Sequence, residues 1–182
     1  ARISNRSHLG TALRPRPRLP RDGGRTLASL IDRVKRYGLL PDKKLGQHFL
    51  VSASAVEKIV SAVPESASVL EVGPGPATLT ESLAERFPVI AIEADPRWAP
   101  LLADVAPRAR VVVADALLID IAELLAELPA PRVIVSNMPY NITGPLLERF
   151  DAARPAVTKM VLMMQREVAD KILAAPGDSA RG

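Results

Sequence analysis

Five short apolar runs, each followed by a stretch of helical periodicity, leave this chain few folds to adopt. The runs are Val69–Val72, Val89–Glu93, Arg110–Ala114, Arg132–Ser136 and Lys159–Met164. Helical stretches are expected near 77–86, 97–104, 119–128, 143–150 and 166–174. A run that is apolar at nearly every position, rather than at alternate ones, suits a strand buried on both faces of a parallel sheet. Strands that alternate with helices point to a doubly wound α/β fold with right-handed crossovers. In that architecture ligands sit beyond the carboxyl ends of the strands, so the residues that follow each run are the ones to search.

Upstream of the alternation, Leu27, Leu30, Ile31 and Val34 recur at helical spacing, with Thr26 as a candidate cap and Gly38 as the stop. Ser52 is placed to cap a second helix whose apolar face is Val56, Ile59, Val60 and Val63. Between them lies an irregular segment, Lys43-Lys44-Leu45-Gly46-Gln47-His48-Phe49-Leu50. Charge divides the chain. Residues 1–36 hold ten Lys/Arg against two Asp/Glu, and residues 37–182 hold fourteen against eighteen, so a segment of net +8 precedes one of net −4. The expected division is a basic Pro/Arg-rich arm over 1–25, suited to weak contact with phosphate backbones, and one domain over 26–182. No apolar run reaches the roughly 18–20 residues needed to span a bilayer. The chain contains no cysteine, which excludes disulfides and thiolate metal sites and fits a cytoplasmic setting. No metal site is expected.

The first run ends in Glu71-Val72-Gly73-Pro74-Gly75-Pro76-Ala77-Thr78. Glycines there allow a tight turn and close approach of a ligand. A dinucleotide fingerprint would need a third glycine at 78, where Thr78 stands, and two prolines remove N–H groups a pyrophosphate would use. The loop thus suits a nucleoside without phosphates. Glu93, 20 residues beyond Gly73, ends the second run where a carboxylate can accept from both ribose hydroxyls. Asp95 is its neighbour, but Asp95-Pro96 reads as the start of the next helix. The third run ends in Asp115-Ala116, where the carboxylate can accept from an exocyclic amine or merely cap a turn.

The fourth run ends in Ser136-Asn137-Met138-Pro139-Tyr140-Asn141. An adenine N6 amine is a poor nucleophile because its lone pair is delocalised into the ring. Drawing both N–H bonds into acceptors gives the nitrogen sp³ character. Asn137 offers one acceptor through its side-chain carbonyl and Met138 a second through its backbone. Pro139 stiffens the turn, and Tyr140 offers a ring on which the base can stack. Stacking of that kind is worth roughly 1–3 kcal/mol and helps offset the cost of extruding a base.

These segments, with Met164-Gln165-Arg166-Glu167-Val168, occur in an order that resembles the ribosomal RNA adenine N6-dimethyltransferases. The resemblance runs from about residue 27 to the C-terminus. It implies a Rossmann-like class I methyltransferase fold and S-adenosylmethionine as cofactor. It also implies dimethylation of two adjacent adenosines near the 3′ end of small-subunit ribosomal RNA, in the immature small ribosomal subunit. By position, His48 and Leu50 would meet the methionine end of the cofactor, Gly73 would line its pocket, Glu93 would hold the ribose and Asp115 the adenine amine. Asn137, Pro139 and Tyr140 would be catalytic, with Asn137 also touching the cofactor. A monomer is expected. The family normally continues past Pro176-Gly177 into further strands and a helical domain, so the domain here is read as truncated. Two alternatives stay open: a related large-subunit RNA methyltransferase that confers antibiotic resistance, and a non-catalytic assembly factor that keeps the fold.

Overall fold

The computed structural model describes residues 27–39, 50 and 52–174. His48, Phe49 and the 1–25 arm lie outside the described residues. Within them the elements run α1 (Leu27–Arg36), α2 (Ala53–Ser61), β1 (Ser68–Val72), α3 (Thr78–Arg86) and β2 (Val89–Glu93). They continue with α4 (Ala99–Val105), β3 (Arg110–Val113), α5 (Ile121–Ala126), β4 (Arg132–Asn137), α6 (Thr143–Ala152), β5 (Lys159–Met163) and α7 (Arg166–Leu173). The five strands form one sheet in the order β3-β2-β1-β4-β5, and every pairing is parallel. This is the doubly wound α/β architecture that the alternation predicts.

Successive strand residues point to opposite faces, and the core divides accordingly. Val69, Val89, Ala91, Val133 and Val135 pack under α2 and α3. Leu70, Ile90, Ile92 and Ile134 pack under α5 and α6. β1 and β2 are buried at every position. β3 and β5 are not: each has one neighbouring strand among the described residues and is partly exposed along its length. An apolar run therefore reports a parallel strand here without reporting that both its faces are covered.

A third cluster fixes α1. Leu30, Val34 and Leu39 pack against Ala77, Trp98 and Leu101. Arg33 pairs with Glu81 at 3.0 Å, and the Tyr37 hydroxyl donates to Asp104. The helix ends as a Schellman turn: Gly38 at φ +65° donates to the Lys35 carbonyl, Leu39 donates to that of Val34, and Leu39 and Val34 share the cluster. At α2 the Ser52 hydroxyl accepts from the Ala55 N–H, as its position before the apolar face predicts.

Candidate active site

The sheet order reverses between β1 and β4, and there the strand ends part. Gly73, just past β1, donates its N–H to the Ile92 carbonyl of β2 at 3.0 Å. Met138, just past β4, donates to the Met163 carbonyl of β5 at 2.9 Å. The loop after β1 thus leans one way and the turn after β4 leans the other. A cavity opens between them, and Leu50, Gly73, Glu93, Asp115, Asn137 and Pro139 all contribute to its wall. Six of the eight residues predicted for the site therefore converge. Tyr140 stands outside that wall, 37% exposed, as the first residue of a single 3-10 turn, Tyr140–Ile142. The residue lies at the surface rather than in the core.

The Gly73–Ala77 loop owes its shape to backbone conformation. Gly73 and Gly75 have φ of +75° and +49°, which only glycine adopts without strain. The loop's third left-handed residue is Ala77, at φ +66°, not residue 78. Ala77 is fully buried and stands at the N-terminus of α3.

Glu93 does more than end a strand. Its Oε2 accepts from the Gly75 N–H and its Oε1 from the Asp95 N–H, both at 2.9 Å. It is only 5% exposed. Burial raises its pKa above the ordinary carboxylate value, and the two backbone N–H groups partly oppose that. The side chain predicted to hold a ribose therefore also ties the glycine loop to the end of β2. Asp95 takes the role its Asp-Pro context indicates. It caps the turn by accepting from the Arg97 N–H at 3.0 Å, and the Arg97 guanidinium beside it holds its pKa low. Asp115 is exposed at the cavity edge, and its Oδ1 accepts from the Leu117 N–H at 2.9 Å. The turn-capping role is therefore present in the structure alongside its place in the wall.

The turn after β4 is locked from both sides. The Met138 side chain is buried in the core between the sheet and α6. The Pro139 carbonyl accepts from the Ile142 N–H at 3.3 Å and from the Thr143 hydroxyl at 3.0 Å. That carbonyl is committed to the turn.

Glu71 is the site residue that the strand pattern hides. It sits within an apolar run, yet it is 1% exposed, lines the cavity, and its Oε2 has no hydrogen-bond partner. Burial pushes its pKa up to about 8; the nearby Thr80 hydroxyl offsets part of the rise and the charge of Glu93 adds to it. The Thr78 hydroxyl in the same wall is likewise buried without a partner. These two unpartnered polar atoms, in a wall that also holds Glu93, Asp115 and Asn137 among apolar side chains, fit a ligand that is partly flat and apolar but carries hydrogen-bonding groups. A nucleoside-bearing cofactor meets that description. Among the described residues no group of three His, Cys, Asp or Glu side chains is disposed as metal ligands, and no helix is long and apolar enough to cross a membrane.

Comparison with known proteins agrees with this geometry. The chain is 44% identical over 163 residues to the ribosomal RNA small subunit methyltransferase A of Phenylobacterium zucineum, an alignment covering 86% of this chain and 56% of that protein. It therefore spans little more than half the length of that relative. Among solved structures, a dimethyladenosine transferase from Plasmodium falciparum superposes with a TM-score of 0.59 at 30% identity, over 73% of this chain and 49% of that one. The 23S rRNA methyltransferase ErmE superposes with a TM-score of 0.57 at 30% identity, over 68% and 50%. The family model described as ribosomal RNA adenine dimethylase matches residues 40–182, and with that match over most of its length the chain belongs to this family.

Proposed function

We propose that this chain methylates the N6 of adenine in ribosomal RNA, placing two methyl groups on each of two adjacent adenosines near the 3′ end of the small-subunit RNA during subunit assembly. The observation that carries the reading is the meeting of two devices across one cavity: the Gly73–Glu93 nucleoside cradle and the Asn137–Tyr140 turn. When bound, S-adenosylmethionine supplies an electrophilic methyl group on a sulfonium. Leu50, Gly73 and Glu93 would hold it, with Asp115 at the adenine end, and the unpartnered Glu71 Oε2 offers an acceptor to its amine. His48 would join them from outside the described residues.

Asn137 and the Met138 carbonyl would accept hydrogen bonds from the two N6–H groups, which localises the nitrogen lone pair for attack. Pro139 and the Thr143 hydroxyl hold those acceptors in place, and Tyr140 stacks on the extruded base. No general base is needed before attack, because the N6 proton leaves to water after the N–C bond forms. Small-subunit RNA is preferred over large-subunit RNA because the curated small-subunit relative is 44% identical, whereas ErmE is 30% identical. The reading carries with it a cytoplasmic, monomeric enzyme whose basic 1–25 arm adds salt-sensitive affinity for RNA. Incubating the chain with immature small subunits and labelled S-adenosylmethionine, then mapping the labelled nucleotides, tests it. Label on paired adenines of the small-subunit RNA is expected; label confined to large-subunit RNA would overturn the assignment.

The double role of Glu93 has its own consequence. Glu93→Ala strips acceptors from two backbone N–H groups, at a cost of about 1–3 kcal/mol each where they are buried. The variant should therefore lose both S-adenosylmethionine affinity by calorimetry and stability by urea titration. A loss of affinity with the urea midpoint unchanged would show that the loop keeps its shape without the tether.

A further inference from the structure

The two devices sit on opposite banks of the split between β1 and β4. The β1 bank leans on β2 through the Gly73 N–H and the Ile92 carbonyl, and the β4 bank leans on β5 through the Met138 N–H and the Met163 carbonyl. A side-chain bond crosses the split at its apex. The Ser136 hydroxyl donates to the Val72 carbonyl at 2.8 Å. Ser136 is fully buried and pairs in register with Val72, the last residue of β1. The bond stands where the backbone ladder between the two strands ends. Immediately beyond it lie Gly73 on one bank and Asn137 on the other. A Cβ built on Gly73 would stand 3.8 Å from Pro139 Cγ, so the banks are in near contact at that level.

We infer that Ser136 is a positioning residue, and that its hydroxyl fixes the spacing between the cofactor loop and the Asn137 turn. The inference rests on the cofactor reading above and adds to it the part that aligns its two halves. Alanine at 136 would fit the space but leave the buried Val72 carbonyl without this donor, and the banks would be free to drift. A ligand that touches both Gly73 and Asn137 would register that drift; a ligand held by one bank alone would not. Displacements on the scale of an ångström are enough to cost reaction rate heavily.

Calorimetry with S-adenosylhomocysteine on the full chain tests the inference without depending on turnover. Ser136→Ala should weaken binding about tenfold, the scale of one net hydrogen bond, and Ser136→Thr, which keeps the hydroxyl, should recover it to within about threefold. In an Asn137→Ala background, where the ligand loses its Asn137 side-chain contact on the β4 bank, Ser136→Ala should cost less affinity than it does in the unmutated chain. Equal losses in the two backgrounds would make Ser136 a structural residue only, and wild-type affinity in Ser136→Ala would remove the inference outright. Absence of binding by the unmutated chain would instead overturn the cofactor reading itself. If Ser136→Ala does not fold, Ser136→Cys, with its weaker donor, takes its place with an expected loss of about two- to fivefold; no loss there would equally overturn the inference.

Discussion

Asn137→Ala should lower methyl transfer to ribosomal adenine by about 10²–10³-fold, the range seen when one preorganised polar contact to a developing charge is removed. In the proposed mechanism the amide carbonyl is one of two acceptors that make the N6 nitrogen nucleophilic, and the other, on Met138, belongs to the turn after β4. That turn is held by the Met138–Met163 backbone bond and by the Thr143 hydroxyl on the Pro139 carbonyl. The variant should therefore fold normally and bind S-adenosylmethionine within about tenfold of the unmutated chain, since most of the cradle lies on the other bank. Single-turnover rates at saturating cofactor, read beside calorimetry, separate the two effects. A variant that loses affinity and rate together would show that Asn137 serves the cofactor first and the base second.

The second large effect is on stability and comes from Glu71. Its carboxyl is buried, and in the folded chain its pKa rises to about 8 from an ordinary value of 4.5. Between those two pH values the folded state holds a proton that the unfolded state has released. Stability from this group is thus fully present below about pH 4.5 and is lost as pH rises through about 8. The whole loss is on the order of several kcal/mol, because one pKa unit corresponds to about 1.4 kcal/mol. Glu93 is raised as well, so it tilts the profile in the same direction. Glu71→Gln removes the titrating group while keeping its shape. Urea midpoints of the unmutated chain should fall steeply from pH 6 to pH 9, those of Glu71→Gln should fall less, and the variant should be the more stable at pH 9. Parallel profiles would mean that water or a cation reaches Glu71 and lets it ionise in place.

The strands could be read from sequence because each is a short apolar run between turn residues, and the observed bounds differ from the expected ones by one residue at most. β1 begins at Ser68 and β4 extends to Asn137. Helix ends were legible where a side chain marks them, as Ser52 does, and less so after Glu93, where a 3-10 turn over Pro96–Trp98 precedes α4. Gly73, Glu93, Asp115 and Asn137 were legible because each ends or follows a strand, and a parallel sheet gathers such positions at one edge. Ser136 and Thr143 were not, since a hydroxyl partner is a matter of three-dimensional proximity that spacing does not encode. Glu71 lies in the β1 motif, where sequence alone gives it no role. An acid within a buried strand acquires one only when the strand is known to border a cavity.

Ala77 shows what a fingerprint written in residue letters overlooks. The β1–α3 loop needs a third inverted backbone position, and here a methyl-bearing residue fills it while its side chain occupies space beside Trp98 and Leu101. Glycine there would relieve about 1–2 kcal/mol of steric cost but surrender the burial of one methyl, worth about 0.8 kcal/mol, and admit more disorder in the unfolded chain. The opposing contributions nearly cancel, so thermal melts of Ala77→Gly should fall within a few degrees of the parent. The two residues are then nearly interchangeable in energy at this position, and what the loop specifies there is a dihedral angle, which no alphabet of amino acids records.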